Sequence, residues 1–542
     1  MHREGLGLQH PVAFWAGCAL IMIGVLAHFP MFIHSAKMNF RMAGMQMDAT
    51  MLVGMGLIPL GVLLAWFGLM PRLALLRQDN HGTIDFHIAD NSPLNGEHWK
   101  LVIALLIAVT VDVMKPATLG FVMPGMQIEY GISQSSVGTL ALIALTGTAV
   151  GSILWGRLAD VMGRRAAILL SALMFIGTAI CGAMPSFSWN LVMCFLMGLS
   201  AGGLLPITFT LMAEVIPAAH RGWLLVALGG IGTAAGYLVA SGAAAVLEPL
   251  YSWRSLWLIG LPTGLIIIFL GRYIPESPRY LANVGLKRQA QAVLNRYNGV
   301  LDREMITDSA SENVFADVNT GLKQMLTGPY APISMGLVGA GIAWGLVNFG
   351  FLLWLPTNLR IMGMSPEAAN SLLAKSGLLA LPGIFAVVWL YHAWSSIKTL
   401  VVFIGLTAIS LLVFFILGLL SIQSSSAITL ATAILLISAS GVIAMLIPYA
   451  AEIYPVHLRG TGAGLVAASS KAGGILGAVA GVAGVFSNLA VSALIISLPL
   501  LIFGVLLLRS GVDTRGKRLE DIHATVLAKS SLNISTLRSE EN

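Results

Sequence analysis

The chain has 542 residues, of which 57% are hydrophobic and only 10% charged. Soluble proteins carry roughly 25% charged residues, so there is too little polar surface here to cover several water-exposed globules, and the solvent that suits the chain is lipid. The net charge of +6 is spread over short segments between apolar runs, which argues against a continuous basic face and a nucleic-acid partner.

A bilayer span needs about 20 mostly apolar residues. Taken in chain order, such runs lie near residues 12–33, 52–70, 101–124, 136–155, 166–184, 190–213, 223–247 and 255–273. After a polar stretch they continue at 332–356, 369–391, 399–421, 427–450, 462–484 and 487–508. This pattern predicts an all-α integral membrane protein of about 14 transmembrane helices. The first run is too long for a signal peptide core and no A-x-A site follows it, so it reads as a retained helix. Placing the N-terminus in the cytoplasm leaves only Lys37, Arg41, Arg254 and Arg360 outside, with three further lysines inside runs and all other Lys and Arg residues on the cytoplasmic side. That satisfies the positive-inside rule and puts both termini in the cytoplasm of a cell-membrane protein.

An internal repeat organises the chain. Glu214, Pro217, Arg221 and Gly222 in "AEVIPAAHRG" recur 238 residues later as Glu452, Pro455, Arg459 and Gly460 in "AEIYPVHLRG". "PESPRYL" at 275–281 and "VDTRGKRLEDI" at 512–522 close the two halves, and Pro124, Gly131 and Ser133 recur as Pro356, Gly363 and Ser365. The displacement spans six runs, an even number, so the halves are parallel repeats, an arrangement that places a transporter's substrate site between them near the midplane. The expected organisation is a transmembrane hairpin (1–70), a linker (71–99), a six-helix bundle (100–274), a cytoplasmic loop (275–330), a second six-helix bundle (331–508) and a cytoplasmic tail (509–542).

"GRLADVMGRR" at 156–165 lies between the second and third helices of the first repeat. Through Gly156, Leu158, Ala159, Asp160, Gly163, Arg164 and Arg165 it resembles the signature loop of the major facilitator superfamily, a resemblance that spans residues 100–522. The E-x-x-P-x-x-x-R-G loops, "PESPR" and "DTRGKRLE" are similar to those of its sugar-porter and metabolite:proton symporter branches, whereas "FLLWLPTNL" at 351–359 and "GGLLP" at 202–206 lean to the metabolite symporters. The sugar-porter seventh-helix motif is absent, since "WGLVNFGFLLWLP" stands in its place. The resemblance implies the major facilitator fold, two parallel six-helix repeats here preceded by an extra hairpin, and a gating role for Gly156, Asp160, Gly163, Arg164, Arg165, Glu214, Arg221, Glu452 and Arg459. The bland alternative is that these charges only set topology. In the second repeat His392 stands where Asp160 would be and Ser395 replaces Gly163, so a cytoplasmic latch is expected to be stronger in the first repeat.

Charges inside spans cost about 2.5–3.5 kcal/mol each at a helix centre, which makes them functional candidates. Asp112 and Lys115 share one face of the third run, a turn apart, and Pro116 beside them removes a backbone bond and predicts a kink. Asp112 is the candidate proton-coupling residue, and Lys115, Lys375 and Lys471 are candidates for an anionic substrate. The alternatives are a static ion pair and lysines snorkelling to an interface. Trp344, Asn348 and Trp354 are candidate wall residues, or else packing.

The methionine-rich stretch 31–55 suits Cu(I) chemically, although its helical rhythm equally fits packing on the membrane or the bundle. Cys18, Cys181 and Cys194 form neither a disulfide framework nor a zinc spacing. "GLSAG" at 198–202 lacks the strand-turn-helix elbow that a hydrolase serine needs. No phosphate loop or metal motif occurs, so neither an enzyme nor a cofactor is expected. The predicted function is secondary transport of a small anionic organic metabolite by a monomer, coupled to protons. The alternatives are a proton-driven exporter, a non-transporting membrane sensor or scaffold, and a copper transporter.

Overall fold

The computed structural model describes residues 10–70, 93–298, 325–420, 424–454 and 456–514, with a few isolated positions besides. All regular structure among them is helical, and thirteen helices there are long and apolar enough to cross a membrane. Each of the fourteen apolar runs corresponds to a helical stretch. The eighth is the short one, helical over Ser255–Leu270.

The helices begin and end where local chemistry dictates. Pro11 opens α1 (Pro11–Leu26), where its missing N–H is no loss, and α2 (Phe29–Ser35) follows. The Asp48 carboxylate accepts the Met51 N–H at 2.8 Å to start α3 (Ala49–Leu69). Asn95 and His98 form a reciprocal capping box at the head of α4 (Gly96–Tyr130). Ser133 caps α5 (Gln134–Met162), and α6 (Arg164–Gly177) starts after Gly163. Then come α7 (Phe187–Val215), α8 (Ala218–Tyr251), α9 (Ser255–Leu258), α10 (Gly260–Leu270), α11 (Pro278–Asn283) and α12 (Lys287–Asn298). The second repeat runs through α13 (Ala331–Leu346), α14 (Leu355–Ile361), α15 (Pro366–Ala393), α16 (Ser396–Leu419), α17 (Ser425–Ile453), α18 (Val456–Val482) and α19 (Leu489–Ser510).

The chain divides into two compact units. One comprises Met1–Leu228, Ala235–Ala310 and Ser365–Ser371, the other Gly229–Ala234, Ser311–Met364 and Leu372–Asn542.

In the first unit, small residues let helices touch backbone to backbone, the usual device in lipid where apolar burial gives little drive. The G-x-x-x-G pairs Gly147/Gly151 and Gly198/Gly202 face each other across α5 and α7, and a Cβ on Gly202 would lie 2.6 Å from the Ser152 nitrogen. The hairpin uses glycines seven residues apart instead. Gly17 and Gly24 of α1 meet Gly61 and Gly54 of α3, where an added Cβ would come within 2.7 Å of a facing carbonyl. This hairpin packs on α6, with Ile58 against Gly177. Its loop is fastened to the bundle: the Met42 and Ala43 N–H groups donate to the Glu129 carboxylate at 2.8 and 3.1 Å, and the Gly44 N–H donates to the Pro185 carbonyl. Met42 and Met51 are fully buried in a cluster with Met31, Phe32 and Ala183, so these thioethers are packing groups here.

Glu129 also takes two donors from Arg254, at 2.7 Å from Nη2 and 3.1 Å from Nε, and one from the Trp253 indole at 2.9 Å. Arg254 is 0% exposed, and its remaining nitrogen donates to the Gly182 and Met184 carbonyls. At the opposite end of α4, Glu97 pairs with Arg296, and the Asn95 amide donates to the Tyr297 carbonyl at 2.7 Å, which holds α12 on the bundle. In the same unit the fully buried Asn370 donates its amide to Glu248 at 2.6 Å.

In the second unit the glycine stripe of α18 packs on the α13 segment. A Cβ on Gly477 would lie 3.0 Å from the Gly350 nitrogen, and one on Gly481 would lie 2.7 Å from the Trp354 indole nitrogen.

Candidate functional site

Asp112 and Lys115 stand one turn apart on α4, as the sequence spacing requires, with Lys115 Nζ 3.5 Å from Asp112 Oδ1. Both are buried, Lys115 to within 1% exposure. The ammonium lies 3.9 Å from the centre of the Phe175 ring on α6, a cation–π contact worth about 2 kcal/mol where water is excluded. Both Pro116 and Pro124 lie inside α4, which runs from Gly96 to Tyr130. Gly236 of α8 packs directly on Val113 and Met114 beside the pair.

The signature loop makes a built corner in the first unit. Gly163 has φ +98°, a conformation open to glycine and rare for other residues, and a Cβ there would run into the Glu276 carboxylate. That carboxylate accepts the Arg164 N–H at 2.6 Å, the Arg165 N–H at 3.3 Å and the Ser277 N–H at 2.9 Å, capping the N-terminus of α6 where the helix dipole favours a negative charge. Burial pushes the Glu276 carboxyl above its ordinary range, against the pull of those backbone donors and of Arg165. Arg164 Nη2 lies 3.5 Å from both Asp160 and Glu214, and its Nη1 donates to the Ala159 carbonyl. Asp160 is 75% exposed. Arg165 donates to the Gly271 carbonyl and Arg221 to that of Ile216. Tyr280 donates its hydroxyl to the Val161 carbonyl, and burial raises its own pKa to about 12. Gly156, the first residue of the motif, has open space where a Cβ would be.

The remaining candidates lie in the second unit. Trp344 donates its indole N–H to the Ala439 carbonyl at 2.7 Å, tying α13 to α17. Asn348 sits in a π-helical turn, Val347–Leu352, and among the described residues its buried amide nitrogen has no hydrogen-bond partner. Such turns are common at functional sites. Trp354 is buried. Lys375 is exposed on the same face of α15 as Leu378 and Leu379, and Lys471 is half-buried on α18. Glu452 accepts hydroxyls from Tyr391 at 3.0 Å and Thr514 at 2.6 Å. The side chain of Arg459 falls outside the described residues, as do most of the expected linker and tail.

Three participants escape sequence reasoning. Glu276 lies inside the quoted "PESPR", but its partner is 112 residues away. Asp513, inside "VDTRG", likewise accepts the Ser396 N–H and hydroxyl at 3.0 Å at the head of α16. Phe175 is an apolar residue in an apolar run, with no signal at all.

The sequence profile of the Major Facilitator Superfamily matches residues 102–478 and leaves the hairpin outside. A niacin transporter of Acinetobacter baylyi is 27% identical over 80% of this chain and 98% of its own length. A 4-hydroxybenzoate transporter of Pseudomonas aeruginosa is 29% identical over 71% of this chain and 86% of its own. Among solved structures, a proton:xylose symporter superposes with a TM-score of 0.62 at 16% identity, covering 79% of this chain and 98% of that one, which is a likeness of fold.

Proposed function

The chain belongs to the major facilitator superfamily, whose members are transporters and not enzymes, and from that premise we propose that it carries a small aromatic monocarboxylate across the cell membrane by alternating access, driven by protons. The observation that carries this reading is the buried Asp112–Lys115 pair within a membrane-spanning helix. An ion pair kept in that setting at considerable desolvation cost suits a site where a proton and an anion exchange partners. Protonating Asp112 frees Lys115 for the substrate carboxylate, and substrate leaving returns Lys115 to Asp112. Niacin and 4-hydroxybenzoate, named for the two relatives, share one ring and one carboxyl group, and the ring makes use of aromatic and amide walls of the kind Trp344 and Asn348 provide.

In this reading Lys115, Asn348, Trp344, Lys375 and Lys471 contact substrate. Gly156, Asp160, Gly163, Arg164, Arg165, Glu214, Arg221, Glu452 and Arg459 gate the cycle. The protein acts as a monomer with both termini in the cytoplasm, its partners being substrate, protons and the bilayer.

The test is purified protein in liposomes under an imposed proton gradient, with internal pH recorded as benzoate-like and pyridinecarboxylate acids are added. The expected result is acid-dependent proton entry that is lost in Asp112→Asn, while that variant keeps the wild-type elution profile. Proton entry unchanged in Asp112→Asn removes the residue from coupling. Acid movement without protons removes symport, and silence with every acid overturns the substrate class.

A further inference from the structure

We propose that Phe175 is the positioning residue of the Asp112–Lys115 site: its ring holds the Lys115 ammonium off the carboxylate, so that the ammonium's N–H groups stay available to the carboxyl group of a substrate. The inference rests on the transport reading above and adds a residue to it.

An ammonium has three N–H donors and no acceptor, and burying one is unfavourable unless those donors are met. Lys115 is buried completely, yet among the described residues its Nζ has one carboxylate, at 3.5 Å, and no other hydrogen-bond acceptor. That distance is well beyond the 2.7–2.9 Å of a charge-assisted bond. Nothing in the helix enforces the gap, because residues three apart on one face are neighbours and the lysine stem has four flexible carbons. The ammonium's other close neighbour is the Phe175 ring, whose face it lies over with the centre 3.9 Å from the nitrogen. An aromatic face attracts a cation through its quadrupole and presents no lone pair, so it stabilises the charge without using up the N–H donors. A second carboxylate in that place would neutralise the lysine, and an aliphatic side chain would let it close on Asp112.

The ring is itself held in place. Phe175 is buried near the end of α6, and behind it the chain runs past as Gly260, where an added Cβ would lie 3.3 Å from the ring's Cζ. The Phe175 carbonyl accepts the Thr178 hydroxyl at 2.7 Å, which fixes the backbone from which the ring projects. Asp112, Lys115 and Phe175 therefore form one site drawn from two helices of the same unit, with an ammonium whose best acceptor is still to come.

Fluorinated phenylalanines placed at position 175 separate charge attraction from packing, because one, two and three ring fluorines weaken the quadrupole stepwise with little change of shape. The expected result is a KM for the transported acid that rises in the same order, to about tenfold for the trifluoro ring, with kcat nearly constant, and at least as large a rise in Phe175→Leu. A readout that needs no substrate is the ¹⁹F resonance of 4-fluorophenylalanine at 175, which is expected to move in Lys115→Met. A flat KM across the series overturns the proposal, as does a fall in kcat and melting temperature with KM unchanged, which is the mark of packing alone. A ¹⁹F resonance indifferent to Lys115→Met also overturns it. A resonance that moves while the wild type carries no acid removes the transport reading, and the substrate role of Phe175 with it, but leaves the ring contact established.

Discussion

At residues 163 and 395 the two repeats turn into helices α6 and α16, and in each a carboxylate from later in the same repeat, Glu276 or Asp513, accepts the first N–H of the helix. Around that shared cap the described residues differ. In the first repeat Gly163, at positive φ, lies against its carboxylate, and the helix opens with two arginines set among Asp160, Glu214 and Glu276. In the second, Ser395 is extended and caps the helix with its own hydroxyl, Ser396 adds a hydroxyl bond to Asp513, and Glu452 is met by Tyr391 and Thr514. The shared part is the remote cap that a buried helix end needs. Among the described residues the first corner is built with arginine contacts, and the described partners of Glu452 and Asp513 in the second include hydroxyls.

Substitutions at matched positions sharpen this contrast, and each is read as the melting temperature of the purified protein. Gly163→Ala is expected to have the largest effect, about 3 kcal/mol from a disfavoured backbone conformation and a collision with Glu276, whereas Ser395→Ala removes only a cap, about 1 kcal/mol. Equal losses at the two sites would erase the distinction. Glu276→Ala strips several backbone donors of a common acceptor, for about 2 kcal/mol or more, and Glu276→Gln, which keeps an acceptor oxygen, is expected to recover most of that. If Gln behaves like Ala, the negative charge matters more than the bonds. Tyr391→Phe removes one hydroxyl from Glu452, for about 1 kcal/mol. Asp160→Asn is expected to leave the melting temperature unmoved, since an exposed partner contributes little. A drop as large as that of Glu276→Ala would place Asp160 in the structural core of the corner.

The sequence carried most of the architecture, because membrane spans are long apolar runs and the repeat preserves exact residues such as Glu214 and Glu452. The Asp112–Lys115 pair was legible for the same reason that it is conspicuous: charges stand out against lipid-facing composition, and three residues of spacing place them together on any helix. Glu276 was visible as part of a motif but not as a cap, since only the folded chain brings residue 276 to residue 164. Phe175 was invisible, because one phenylalanine among many gives no sign that its ring meets a cation. The hairpin glycines at positions 54, 61 and 68 recur every seven residues, a spacing that suits a near-parallel helix pair.

The loop of that hairpin has a consequence for the order in which the molecule is assembled. Met42 and Ala43 are made early, but the carboxylate that receives them belongs to residue 129, and the guanidinium that balances that carboxylate belongs to residue 254. A nascent chain that has inserted only its first two helices has no acceptor for the loop, and one that stops before residue 254 holds Glu129 without its counter-charge. The N-terminal loop can therefore settle only after the first repeat is nearly all synthesised, and its docking marks the completion of that half of the protein.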